Sequence, residues 1–100
     1  MWWADLPAPA GRRPVLLLSR NDAYEVRALV TVAPVTTRVR GIPVEVPLGQ
    51  QDGLPRACVV NLDTITTIPK RALSQRVASL SVQRMEEVEQ ALRFALGMEA

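Results

Sequence analysis

One hundred residues allow one domain with one modest core, and 48% apolar with 22% charged residues excludes a disordered chain. A net charge of +2, one cysteine (Cys58) and no histidine exclude an internal disulfide framework, Ser-His-Asp or Cys-His nucleophiles and a transition-metal constellation. No apolar run approaches a membrane span, and Met1-Trp2-Trp3-Ala4-Asp5 lacks the basic and apolar regions of a signal peptide, so a cytoplasmic protein with no membrane contact is expected.

In chain order, residues 1–80 read as short strands divided by turn chemistry. Met1–Leu6 is expected to form a strand stopped by Pro7 and Pro9. Pro14–Ser19 contains Val15-Leu16-Leu17-Leu18, a continuous apolar run of the sort a buried strand shows. Asn21-Asp22 supplies a turn. Glu25–Ala33 alternates, with Val26, Ala28, Val30 and Val32 on one side and Arg27, Leu29 and Thr31 on the other. Pro34 is expected to end that strand or mark a bulge. Pro43–Pro47 reads as a short edge-like strand with Val44 and Val46 on one face, and Gly49–Pro55 as a loop. Ala57–Leu62 and Thr64–Ile68 are rich in β-branched residues and read as strands. Arg71–Gln75 suits a short helical turn and Val77–Leu80 a last strand.

The chain then changes period. Val82, Met85, Val88, Leu92, Ala95 and Leu96 recur at helical spacing. Ser81 is an N-cap residue and Gly97 stands where a C′ glycine belongs, so a helix over Val82–Leu96 is expected, its apolar stripe packed on the sheet. Strands followed by one helix imply an α+β domain. Short strands and eight prolines fit a small SH3-like β-barrel with a C-terminal α-helix better than an open sheet.

Charge is unevenly spread: residues 1–81 carry ten basic and six acidic side chains, residues 82–100 two and four. A basic body suits a polyanion, although solubility alone accounts for the same pattern. With no histidine, an enzyme built on this chain would work with Arg, Ser, Thr, Lys and isolated carboxylates. That kit suits electrostatic stabilisation of a phosphorane-like transition state, and RNA supplies its own nucleophile in the 2′-OH.

Three segments in order carry a resemblance. The first is Trp3-Ala4-Asp5-Leu6 followed by Gly11-Arg12-Arg13-Pro14-Val15-Leu16-Leu17-Leu18-Ser19. The second is Val32-Ala33-Pro34-Val35-Thr36-Thr37. The third runs from Val59-Val60-Asn61-Leu62-Asp63-Thr64-Ile65 through Ile68-Pro69-Lys70-Arg71-Ala72-Leu73 to Leu80-Ser81, Met85, Val88, Ala91-Leu92 and Leu96-Gly97. Together they resemble the MazF/PemK family of toxin endoribonucleases over essentially the whole chain.

The resemblance implies an SH3-like barrel of the CcdB/PemK kind with a C-terminal helix, usually as a homodimer. It implies cleavage of single-stranded RNA at short motifs without metal or cofactor, by attack of the 2′-OH on the adjacent phosphate, and control by a MazE-like antitoxin. By position it implies that Arg13 and Thr36 are the catalytic pair. From the residues alone, an ion pair for Arg13 and a turn hydroxyl for Thr36 are the competing roles. Arg12, Ser19, Arg20, Asn21, Thr37, Arg38 and Arg40 lie on the same or adjacent loops and are candidates for RNA contact. Asn61 and Asp63 stand where relatives touch RNA or antitoxin, with turn roles equally open. Trp2 and Trp3 read as core or dimer contacts, with base stacking as the other role.

Two departures from the family pattern stand out. The Pro7–Arg12 loop is short and lacks the Glu-Gln-Gly stretch of many members, and Thr66 replaces an arginine. They keep two other readings in view, a non-nucleolytic protein-binding toxin of the CcdB type and a catalytically degenerate family member.

Overall fold

The computed structural model describes residues 1–18 and 28–98. Among them are seven strands, β1 (Trp2–Asp5), β2 (Arg12–Leu17), β3 (Leu29–Thr36), β4 (Glu45–Leu48), β5 (Cys58–Asn61), β6 (Thr66–Pro69) and β7 (Leu73–Arg76), and a C-terminal helix, α1 (Val82–Ala95). All pairings are antiparallel, along the path β4-β5-β3-β2-β1-β7 with β6 added on β3.

The strand β3 joins two ladders. Leu29–Val32 pairs with β6, and Val32–Pro34 with β2. Beyond Pro34 the strand leaves β2, and Val35 and Thr36 pair with Val60 and Val59 of β5. Pro34, expected to end the strand or mark a bulge, thus lies inside it. Its missing N–H falls where one ladder hands over to the next, and the chain runs on.

The strands β6 and β7 flank opposite edges of β3-β2-β1, yet only the short turn Lys70–Ala72 separates them. Five flat strands would set those edges about 19 Å apart, so the sheet must curl. Its concave side encloses Ala4, Val15, Val30, Val32 and Ile68. The other side carries Leu16, Ala33 and Val35 into a larger core with Val46, Leu48, Val60, Leu62, Val88 and Ala91. The central strands are buried on both faces, which is why Val15-Leu16 and Val32-Ala33 are apolar without alternation. Among the described residues the path from β4 to β7 is not closed by hydrogen bonds, so the expected barrel is a curled sheet there.

Other expectations shift in detail. The turn of residues 70–72 is present, but Leu73–Arg76 behind it is the last strand. Its Ser74, Gln75 and Arg76 are exposed, so no apolar pattern announced it. Val77–Leu80 forms no strand; Val77 donates to Met1 O at 2.9 Å and the segment packs into the larger core. The portion of the Glu25–Ala33 strand before Ala28, and the Asn21-Asp22 turn, lie outside the described residues.

The helix is capped as expected. Ser81 Oγ accepts from Arg84 N at 3.1 Å, and Gly97 has φ +68°. Its buried stripe differs. Val88 and Ala91, with Leu92 and Ala95, face the core, while Val82 is 78% exposed and Met85 and Leu96 are also exposed. The helix meets β4 and the turn Leu62–Thr64, and that docking surface selects the Val88/Ala91 face. At its start, Arg84 Nε lies 3.0 Å from Asp52 Oδ1, and Asp52 Oδ2 accepts Gly49 N at 3.0 Å. No described helix is long and apolar enough to cross a membrane.

Candidate active site

Arg13 and Thr36 stand at the end of the sheet where β2 and β3 separate. The last paired residues there are Val15 and Pro34. Arg13 precedes Val15 by two positions and Thr36 follows Pro34 by two. Both therefore lie two positions beyond the last pair, at the point where the strands part, and alternation puts each on the same face of its strand as that pair.

Each side chain is oriented by its own neighbourhood. The β1–β2 loop turns through Gly11 at φ +65°, with Leu6 N donating to Gly11 O at 3.1 Å. Arg13, half-buried in β2, donates from Nε to Ala10 O of that loop at 3.1 Å. The loop that lacks the family's Glu-Gln-Gly stretch thus steadies the arginine through a main-chain carbonyl. Thr36 Oγ1 accepts from Arg38 N at 3.1 Å. This is the turn role foreseen for a hydroxyl after Pro34, and it leaves the O–H proton free to donate.

The loop after Thr36 carries Thr37, Arg38 and Arg40, all exposed. Glu45, buried at the start of β4, accepts from Arg40 N at 3.0 Å and Gly41 N at 2.9 Å, which fixes the loop's return. Arg12 is exposed on β2 with its guanidinium carbon 5.2 Å from the Trp3 ring centroid, a cation–π distance. Arg12, Arg13, Thr36, Thr37, Arg38 and Arg40 are therefore gathered at one end of the sheet, with a concentration of positive charge suited to a phosphate chain.

Other candidates fall elsewhere. Ser19, Arg20 and Asn21 lie outside the described residues. Asn61 ends β5 and its Oδ1 accepts Asp63 N at 2.9 Å, so both form the cap of a 3-10 turn. Asn61 sits two positions along from Val59, the partner of Thr36. Thr66 is exposed in β6 opposite Val32.

The assembled structure adds features that no local spacing marked. Glu45 is one. Another is a cavity of about 320 Å³ beside the separated strands, lined in part by Trp3, Pro14, Arg56 and Cys58. Burial, and secondarily the charge of Asp52, raise the pKa of the Cys58 thiol above its usual value. It is therefore held as a neutral, inert side chain near pH 7.

A family profile described as PemK-like, MazF-like toxin of type II toxin–antitoxin systems matches residues 1–96. The chain is 38% identical over 97 residues to the probable endoribonuclease MazF5 of Mycobacterium tuberculosis, which spans 96% of this chain and 88% of that one. Among solved structures, the Mycobacterium tuberculosis toxin MazF-mt6 superposes with a TM-score of 0.91 at 33% identity, covering 99% of this chain and 97% of the other. An endoribonuclease from a mycobacterial species, solved in complex with its cognate antitoxin, superposes with a TM-score of 0.87 at 31% identity, covering 99% and 92%.

Proposed function

This chain belongs to the PemK-like, MazF-like toxin family of type II toxin–antitoxin systems, and on that premise we propose that it is a metal-independent endoribonuclease. In this reading it is a single-domain cytoplasmic toxin, active as a homodimer, that cuts single-stranded RNA at short motifs and so inhibits translation and growth. A MazE-like antitoxin holds it in check. The observation that carries the reading is that Arg13 and Thr36 each lie two positions beyond the last β2–β3 pair, at the arginine-rich end of the sheet.

The chemistry follows from what these groups donate. The RNA 2′-OH attacks the adjacent phosphorus, forming the 2′-O–P bond as the P–O5′ bond breaks. The products are a cyclic phosphate and a 5′-OH end. Two negative charges collect on the phosphorane oxygens. The planar Arg13 fork offsets part of that charge, with its orientation set in advance by Ala10 O. Thr36 donates its O–H to a non-bridging oxygen and aligns phosphorus for in-line attack. The attacking hydroxyl loses its proton to solvent, and the leaving 5′ oxygen takes one up.

Apolar side chains remain at the surface, among them Phe94 at 50% exposure and Leu96 and Met98 beyond it. They supply the kind of area that a second copy or an antitoxin covers.

The test is incubation of the purified protein with long single-stranded RNA in EDTA, with the new 5′ ends mapped. Discrete cuts, lost in Arg13→Ala, are expected. Intact RNA after incubation with folded wild-type protein would sink the nuclease reading in favour of a protein-binding toxin.

A further inference from the structure

The separation of β2 from β3 leaves a wedge. Pro14 and Val35, the residues next beyond the last pair, both line it. Trp3, Leu54, Pro55, Cys58 and Val77 complete the apolar walls of this cavity of about 320 Å³, and Thr37 and Arg56 are its polar lining side chains. By alternation along the two strands, Pro14 and Val35 face the opposite side of the sheet from Arg13 and Thr36. The cavity therefore begins where the candidate phosphate site ends, one residue away on each strand.

We propose that this cavity seats one unstacked nucleobase of the single-stranded RNA against Trp3, with Arg12 and Arg56 meeting the flanking phosphates. The inference rests on the RNA-cleaving reading above and adds to it a subsite. Its physical basis is a match of chemistry. A nucleobase is a flat ring with an apolar face, carried between two phosphates, so it needs an apolar slot with cations at the mouth. Trp3 is half-buried and offers an aromatic wall. Arg12 already lies over that ring at 5.2 Å, and Arg56 is part of the lining. A purely aliphatic occupant would use the walls but offer neither guanidinium group an anionic partner. A nucleotide chain crossing the strand ends satisfies all of them, with its phosphate on the Arg13 side and a base turned into the wedge.

Most of the described lining is apolar, with Thr37, Arg56 and the Trp3 indole N–H as the side-chain groups able to hydrogen-bond a base edge. Selection here works chiefly through stacking and shape, and affects the preferred base at one position of the cut site.

Trp3 makes the subsite observable without activity. A Trp2→Phe variant leaves Trp3 as the one indole. A fully 2′-O-methylated single strand has no 2′-OH to attack and stays intact. Binding is followed by anisotropy of the labelled strand. The expected result is quenching of Trp3 emission with the same midpoint as the anisotropy. Binding that leaves Trp3 emission unchanged overturns the inference. A second variant, Val77→Phe, fills the cavity. It is expected to raise KM about tenfold and alter base preference at one position of the cut map, with kcat within a few-fold. An unaltered map and KM from this variant would overturn the base seat while leaving the nuclease intact. Failure of the wild-type protein to cut ordinary RNA removes both readings.

Discussion

Glu45 holds Arg40 through the main chain: one carboxylate oxygen accepts from Arg40 N at 3.0 Å and from Gly41 N at 2.9 Å. The residue is buried at the first position of β4, and through it the edge strand shapes the loop that leaves Thr36. Glu45→Ala is expected to cost about 1–3 kcal/mol, because two amides lose a charged acceptor. Glu45→Gln, which keeps an acceptor oxygen, should recover part of that. Urea denaturation gives the cost, and hydrogen exchange at the Arg40 and Gly41 amides tests its origin. Unchanged exchange in Glu45→Ala would show that the carboxylate does not hold the loop.

Arg13 makes one hydrogen bond to its own loop, so its removal should spare the fold. Arg13→Ala is expected to lower kcat at least about 100-fold, the scale of losing a preorganised oxyanion donor, with stability changed by about 1 kcal/mol or less. Arg13→Lys keeps charge without the fork and should restore little. Thr36→Ser should retain most activity and Thr36→Val little. Wild-type cutting rates in Arg13→Ala would remove it from the site.

Asp52 joins the start of α1 to the β4–β5 connection by accepting from both Arg84 and Gly49. Its side chain is 5% exposed, so truncation leaves an amide and a guanidinium poorly compensated. Asp52→Ala is expected to cost about 2–4 kcal/mol. A double-mutant cycle with Arg84→Ala should show coupling. Additive losses would mean that the pair contributes nothing beyond its separate parts.

Burial raises the Cys58 pKa above its ordinary value of 9.0. The folded state thus keeps the thiol proton to higher pH than the unfolded state does. That contribution is fully present below about pH 9 and is lost as pH rises through the folded pKa. The stability of wild type relative to Cys58→Ala should therefore fall above pH 9 and stay level between pH 6 and 8. Denaturation across pH 6–10.5 checks it. A difference that is flat throughout would show that the thiol's proton affinity is the same in both states.

Local chemistry made much of the fold legible in the residues. Ser81 and Gly97 bracket the helix because cap geometry depends on a few adjacent residues. The apolar run at Val15 marks a strand covered on both sides. Arg13 and Thr36 were proposed as the catalytic pair from segment order and family resemblance, which do not require knowledge of how the strands pair.

What remained depended on contacts between distant residues. The face of α1 that is buried was settled by β4 and the Leu62–Thr64 turn, against a sequence stripe that included Val82 and Leu96. The strand β7 carries polar, exposed residues and is a strand because β1 pairs with it. Periodicity records only what neighbours along the chain require, so it is silent on both. Strand pairing brings Arg13 and Thr36 to the same end of the sheet, and only folding brings Trp3, Val35, Cys58 and Val77 around one cavity. Spacing along a chain cannot encode a wall built from four separate segments.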